Sequence, residues 1–82
     1  MNLVQQLLQF VREELASGAD PTTIDENTPL IDGGLIDSMG LMRLIVFIEE
    51  RGGVRVPDSE VLPDNFQTVA DIDNLIRRLT AR

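Results

Sequence analysis

"GGLIDSMGLMRLIVFIEERGG", residues 33–53, decides the fold of this 82-residue chain. Its apolar side chains recur three and four residues apart, which is the spacing of one face of an α-helix. Four of them form a complete stripe that can face a core: Leu41, Leu44, Ile45 and Ile48. The pair Gly52 and Gly53 ends the run, because glycine takes the left-handed conformation that closes a helix without strain at Cβ. The pattern predicts a helix over residues 38–51.

Two further amphipathic helices flank this one. The first is predicted over residues 2–16 and stopped by Ser17 and Gly18, and the last runs from 68 to 82. Thr68 is its predicted N-cap, with Asp71 in the capping-box position. Their inward-facing side chains are Val4, Leu7, Leu8, Val11 and Leu15 in the first and Val69, Ile72, Leu75, Ile76 and Leu79 in the last.

The connections complete the predicted architecture. Residues 19–37 form a long first loop, to which the glycine pair 33–34 gives freedom and which is anchored by Ile24, Leu30, Leu35 and Ile36. In the connector 54–67, two prolines leave room for one short helical turn that opens at Asp58. We predict an all-α, acyl-carrier-like fold in one domain over residues 1–82: a small four-helix bundle with three main helices, one short helix and a long first loop.

The charge limits the classes of partner. Fourteen acidic residues against seven basic ones give a net charge of −7. Such a surface repels phosphate backbones and anionic membranes, which argues against nucleic acid as a partner. No stretch approaches the ~20 apolar residues of a membrane span, and the amino-terminal segment lacks the positive region of a signal peptide. We expect a monomeric cytoplasmic protein.

Catalysis by this chain alone is not supported. Ser38 carries the most reactive candidate hydroxyl, but the chain has no histidine and no cysteine, and no lysine. The usual base that would activate a serine is therefore absent. Four acidic residues of the first loop do not match the calcium-loop spacing, which favours a solvated loop over a metal site: Asp20, Asp25, Glu26 and Asp32.

The sequence allows two interpretations of Ser38. Serine and aspartate are favoured at helix starts because their side-chain oxygens accept from unpaired backbone N–H groups, so simple capping would also place a serine here. The other interpretation is that Ser38 is acted upon by another protein. A phosphate ester on its hydroxyl would meet the unpaired N–H groups and the positive dipole end of the helix.

A second apolar stripe on the helix bears on this choice. Met39, Met42 and Val46 lie beside the core stripe, with Arg43 and Glu50 at its border. If this stripe is exposed, it is typical of a partner-docking face. The alternative is a central helix that is buried on all sides. The acidic pair 49–50 is expected to be a solvated helix end.

Ordered motifs over about residues 28–79 resemble the carrier protein family, the acyl, peptidyl and aminoacyl carriers. They are G-x-x-D-S-[LM], an apolar helix that ends in Glu-Glu and glycine, a V-P-D turn, and N-F-x-T-V at the start of the last helix. In that family a separate transferase attaches 4′-phosphopantetheine from coenzyme A to the serine of the D-S motif. The resemblance implies this role for Ser38. It also implies that the arm's thiol holds cargo as a thioester, and that Asp37, Met39 and the following helix form the recognition surface.

The same resemblance implies a non-catalytic protein with several partners: a phosphopantetheinyl transferase, an adenylating or acyltransferase loading enzyme, and downstream condensing or tailoring enzymes. Gly40 and Arg43 stand where fatty-acid carriers have carboxylates, and D-S-M-G is similar to the D-alanyl carrier. This favours an aminoacyl or peptidyl carrier, or a specialised acyl carrier of secondary metabolism. The alternative is an acidic helical interaction domain without a cofactor, in which Ser38 is only a cap.

Overall fold

Three α-helices carry the fold in the computed structural model, which describes residues 2–15 and 21–81. α1 spans Leu3–Phe10 and continues as a π-helical segment over Val11–Leu15, α2 spans Ser38–Gly52, and α3 spans Val69–Thr80. α1 contacts both α2 and α3, and the described residues contain no strand. The predicted all-α fold with three main helices is confirmed.

The predicted apolar faces meet in one core. Leu7, Leu44, Ile72 and Leu75 are fully buried there, because one stripe of each amphipathic helix must be removed from water. The side chains that the helical pattern placed inward and that are only half-buried are Val4, Leu8, Leu41 and Leu79. Phe66 is also fully buried, although the helical periodicity did not place it in the core.

The helix ends follow local capping rules. Gly53 closes α2 in the left-handed conformation, with φ of 64°, as the sequence predicted. The Thr68 hydroxyl accepts the backbone N–H of Asp71 at 3.1 Å and so caps α3. The reciprocal bond of a capping box, from the Thr68 N–H to the Asp71 carboxylate, is not formed. The predicted stop of the first helix at Ser17 and Gly18 lies outside the described residues.

The predicted short helix is present as a tighter turn. A 3-10 turn covers Asp58–Glu60, and a second one, which the sequence analysis missed, covers Pro63–Asn65. Both are bound to α3 by Arg78, whose guanidinium donates to the Glu60 carboxylate and to the Asn65 side-chain oxygen, each at 3.1 Å. The connector between α2 and α3 therefore lies fixed against the last helix.

The first loop is more ordered than the prediction of a long connection implied. It contains a 3-10 turn over Pro21–Thr23 and is hydrogen-bonded to the start of α3. The N–H of Leu30 donates to the Gln67 carbonyl at 2.7 Å, and the N–H of Ala70 donates to the Glu26 carbonyl at 3.0 Å. These bonds position the segment that leads into α2.

The glycine pair before α2 serves close packing rather than the predicted freedom. A Cβ on Gly33 would collide with the backbone carbonyl of Pro29, and Gly34 has a φ of 74°. Glycine adopts this left-handed conformation without the steric cost that other residues meet. The pair therefore turns the loop tightly just before Asp37 and Ser38.

Candidate functional site

Ser38 is the first residue of α2, and its side chain is exposed. The N-cap is Asp37, whose Oδ1 accepts the N–H of Gly40 at 2.8 Å. Its carbonyl accepts the N–H of Leu41, also at 2.8 Å. The interpretation of Ser38 as the cap is therefore wrong. Within the described part of the chain, the Ser38 hydroxyl makes no hydrogen bond.

The start of α2 suits an anion on this hydroxyl. In residues 2–15 and 21–81, the backbone N–H groups of Ser38 and Met39 have no acceptor, and the first turn of α2 contains no acidic residue. Unpaired N–H groups at the positive end of a helix dipole stabilise phosphate groups. The residues present therefore fit a phosphate ester at Ser38.

Removing the cap tests this division of roles. We expect Asp37→Ala to lower the free energy of unfolding by about 1 kcal/mol, since an N-cap oxygen is lost. Asp37→Asn should restore most of it, because the asparagine oxygen can accept the same N–H. Urea denaturation followed by circular dichroism measures both. A loss with Ser38→Ala as large as with Asp37→Ala would contradict the assignment of the cap.

The second apolar stripe of α2 is exposed. Met39 is 77% exposed, Met42 61% and Val46 51%, so the alternative of a helix buried on all sides is wrong. Glu50 is exposed at the end of this stripe. Large apolar side chains with a polar border on a small domain are typical of an interaction site. Leu62, which the sequence analysis did not single out, adds a further apolar side chain that is 50% exposed.

Arg43 borders the stripe but points to α1. Its Nη2 lies 3.2 Å from Oε2 of Glu14, and its Nη1 donates to the Glu14 carbonyl at 3.3 Å. Its guanidinium also lies 6.0 Å from the centroid of the Phe10 ring. Both members of the ion pair are about half exposed, and such pairs contribute about 1 kcal/mol or less. The sequence held no signal for Glu14, which lies 29 positions away.

Phe47, which the helical pattern left unassigned, packs against α1. Its ring stacks on Phe10 with centroids 4.3 Å apart and an angle of 18° between the planes. The Arg51 guanidinium lies 5.7 Å from the Phe47 centroid. Stacked rings contribute about 0.5–1.5 kcal/mol beyond the burial of their area. The stacked pair is one of the contacts that join α2 to α1.

Two residues of α2, Glu49 and Gly40, are shielded from solvent to different extents. Glu49 is half-buried and accepts the N–H of Val56 at 2.9 Å, so the expected solvated pair holds for Glu50 alone. Gly40 is buried, and a Cβ there would lie 3.6 Å from a methyl group of Leu15. Of the two positions that depart from fatty-acid carriers, only Arg43 therefore faces solvent.

One of the four loop carboxylates, Asp25, has structural partners. Asp25 accepts the N–H of Asn27 at 2.8 Å and the hydroxyl of Thr28 at 3.2 Å. In the described ranges, no three His, Cys, Asp or Glu side chains are grouped so as to hold a metal ion. Asp20, a member of the predicted cluster, lies outside those ranges. No helix in the same ranges is long and apolar enough to cross a membrane.

Comparisons with known proteins bear directly on this site. A family model described as a phosphopantetheine attachment site matches residues 5–76. The lincomycin biosynthesis protein LmbN of Streptomyces lincolnensis is 36% identical over 98% of this chain, which spans 28% of LmbN. The D-alanyl carrier protein of Streptococcus sanguinis is 36% identical over 88% of this chain and 87% of its own length. The solved structure of apo KstB-PCP superposes with a TM-score of 0.75 at 32% identity, over 98% of this chain and 88% of that one.

Proposed function

Since this chain belongs to the phosphopantetheine-dependent carrier protein family, we propose that its arm is attached to the hydroxyl of Ser38. The protein holds acyl or aminoacyl groups through 4′-phosphopantetheine, whose terminal thiol supplies thioester chemistry when the arm is bound. A thiol supplied in this way agrees with the absence of cysteine from the chain. One observation supports this assignment most directly: Ser38 is exposed at the start of α2. Asp37 caps the helix, so the Ser38 hydroxyl oxygen is not used for capping.

In the attachment reaction, the chain positions the Ser38 hydroxyl and keeps it accessible to the transferase. Asp37 fixes the first turn of α2 through its bond to the Gly40 N–H, and this presents the Ser38 hydroxyl to solvent. No described residue accepts a hydrogen bond from that hydroxyl. We therefore expect the transferase to supply the base that removes its proton. The hydroxyl oxygen would bond to the phosphorus that carries the pantetheine in coenzyme A, the pyrophosphate bond would break, and adenosine 3′,5′-bisphosphate would leave. The unpaired N–H groups of Ser38 and Met39 would stabilise the phosphate that remains on Ser38.

The attachment itself is tested by incubation with a broad-specificity phosphopantetheinyl transferase and coenzyme A, followed by intact-mass measurement. The expected result is a gain of one phosphopantetheine group per chain. Peptide mapping of the product should place the added mass on the peptide that contains Ser38. A chain that gains no mass, while a known carrier in the same reaction does, would contradict the proposal.

The partner-binding surface is proposed to follow α2 from its N-cap, Asp37. It consists of Asp37, Met39, Met42, Arg43, Val46 and Glu50. The exposure of its three apolar side chains supports this assignment, and Arg43 and Glu50 place one charge of each sign at the border. An apolar centre with a charged rim is the usual composition of a protein interface. We therefore expect docking to depend mainly on apolar contact.

A charge in the centre of this surface tests it. We expect Met42→Glu to lower kcat/KM of the transferase about tenfold, equivalent to ~1.4 kcal/mol, because docking would bury an unpaired carboxylate. Asn74→Glu places the same charge on an exposed position of α3 and should leave kcat/KM unchanged. Both variants should melt within a few degrees of the wild type. A large drop in melting temperature for Met42→Glu with unchanged kinetics would contradict an exposed docking role.

The proposed partners are a phosphopantetheinyl transferase, an adenylating or acyltransferase loading enzyme, and condensing or tailoring enzymes. Similarity to a lincomycin biosynthesis protein and to a D-alanyl carrier supports aminoacyl, peptidyl or specialised acyl cargo of a secondary pathway. The cationic Arg43 on the surface supports the same choice over a fatty-acid pathway. We further propose that residues 1–82 act as one non-catalytic, monomeric domain in the cytoplasm.

A further inference from the structure

Two methionine side chains of α2 lie open to solvent next to the Ser38 hydroxyl. Met39 directly follows Ser38 and is 77% exposed, and Met42, one helical turn further on, is 61% exposed. Within residues 2–15 and 21–81, neither thioether takes part in a hydrogen bond. The chain has three methionines and no cysteine, and Met1 lies outside the described ranges. The sulfur atoms that the structure describes are therefore both on the proposed docking surface.

A thioether in this position is open to oxidation by a hydroperoxide. The sulfur lone pair attacks one peroxide oxygen, the O–O bond breaks, and the proton on the transferred oxygen passes to the departing oxygen. With hydrogen peroxide the products are a sulfoxide and water, so the sulfur loses two electrons and the peroxide gains them. The reaction needs access to the sulfur but no catalytic group on the chain, and the exposure of both side chains provides that access. Oxidation converts a flexible apolar side chain into a polar, chiral one.

This change falls on the apolar centre of the docking surface. Of its three exposed apolar side chains, Met39, Met42 and Val46, two carry sulfur. A partner that packs against them must remove each sulfoxide oxygen from water, and burying a polar group without a hydrogen-bond partner costs free energy. Oxidation of both methionines leaves Val46 as the apolar side chain of that centre. Docking is therefore weakened without any change in the charge of the surface.

The same oxidation spares the core. Among the residues that the structure describes, the buried apolar cluster that joins the helices contains no methionine. The first turn of α2 is held by Asp37, whose carboxylate accepts the Gly40 N–H, and no thioether takes part in this bond. The oxidised chain therefore keeps its fold, so that a loss of docking arises at the surface itself.

We propose that Met39 and Met42 form a reversible oxidation site that controls partner docking on α2. The thioethers admit the partner and the sulfoxides exclude it. This inference rests on the docking surface of the proposed function. Methionine sulfoxide reductases, one for each sulfoxide epimer, reverse the change. Two thiols pass their hydrogen atoms to the sulfoxide oxygen, which leaves as water, and the thiols become a disulfide. Attachment of the arm then depends on the balance between hydroperoxide and thiol reductant.

Treatment with hydrogen peroxide before arm attachment tests the proposal, because the thiol of the arm would also be oxidised. Once catalase has removed the peroxide, fragmentation of the tryptic peptide 13–43 counts the oxygen atoms gained at each of the two methionines. We expect kcat/KM of a broad-specificity phosphopantetheinyl transferase to fall about fivefold or more. The melting temperature should stay within a few degrees of that of the untreated chain. Incubation with both sulfoxide reductases and dithiothreitol should restore kcat/KM.

A double variant, Met39→Leu with Met42→Leu, supplies the matched control. It keeps Met1 but lacks both proposed targets, so peroxide should leave its kcat/KM equal to that of its own untreated sample. A loss as large as in the wild type would place the effect elsewhere and overturn the oxidation site. A fall in the wild-type melting temperature that accounts for the loss of kcat/KM would assign that loss to unfolding, and would likewise overturn it.

The outcomes separate this site from the proposed function. Sulfoxide at both positions with unchanged kcat/KM, while Met42→Glu lowers it, would overturn the oxidation site and leave the docking surface standing. If Met42→Glu and the double oxidation both leave kcat/KM unchanged, the docking surface is overturned and the oxidation site with it. Failure of the untreated wild type to gain the mass of the arm, in a reaction that modifies a known carrier, would overturn the attachment and the control built on it.

Discussion

Replacing Ser38 with alanine is expected to abolish phosphopantetheine attachment completely and to leave the fold intact. The hydroxyl is the proposed acceptor of the arm, so without it no mass should be gained. The fold should be spared because Asp37, not Ser38, caps α2 and the Ser38 side chain is exposed without a described partner. Surface substitutions of this kind change stability by about 0.5 kcal/mol or less.

Ser59→Ala is the matched control. Ser59 is also an exposed serine and lies in the 3-10 turn Asp58–Glu60, so its replacement should leave the full mass gain. Intact-mass measurement after reaction with the transferase and coenzyme A gives the readout, and circular dichroism confirms the fold of each variant. An equal mass gain with Ser38→Ala, or a loss of modification with Ser59→Ala, would contradict attachment at Ser38.

The largest effect on stability is expected for Phe66→Ala. The ring is fully buried, and truncation of a buried phenylalanine costs about 3–5 kcal/mol through lost apolar burial and the cavity left behind. Domains are stable by only about 5–15 kcal/mol, and one of 82 residues has a small core. We therefore expect a chain that is largely unfolded or has a much lower urea midpoint.

Phe47→Ala supplies the comparison for this change. Phe47 is half-buried, so its truncation should lower the urea midpoint clearly less than that of Phe66. Phe66 also directly precedes Gln67, whose carbonyl accepts the N–H of Leu30, so its loss should loosen the loop that leads to Ser38. Equal midpoints for Phe66→Ala and Phe47→Ala would contradict the central position of Phe66 in the core.

Asp37 and Ser38 are adjacent but have different roles at the start of α2: Asp37 caps the helix, and Ser38 presents a free hydroxyl. Both residue types favour helix starts, and composition alone does not choose between them. Asp37 has the extended backbone of a cap, with φ of −102° and ψ of −171°, which brings its carboxylate to the Gly40 N–H. Ser38 is then the first helical residue, and its hydroxyl is left available for chemistry supplied by a partner.

Local sequence patterns predict the bounds of α2, the cap of α3 and the family of this protein. The helical spacing in residues 38–51 predicted α2 to within one residue, because its apolar stripe and the glycine pair 52–53 act within a few turns of one helix. Thr68 was identified as a cap for the same reason. The motif around Ser38 likewise indicates the family without reference to any tertiary contact. Periodicity, capping and short motifs are local properties, and the sequence by itself determines them.

Tertiary structure alone decided which of these residues are exposed to solvent and which contact each other. The apolar pattern of α2 did not distinguish an exposed Met39 from a buried one, since that depends on where α1 and the first loop pack. The contact between Arg43 and Glu14 joins residues 29 positions apart, and Gly40 is buried where Leu15 from the first helix approaches it. The same packing forms a cleft beside Ser38, which is lined by Leu15, Gly34 and Met39 among others. Its walls come from segments distant in the chain, and only packing of the folded core brings them together.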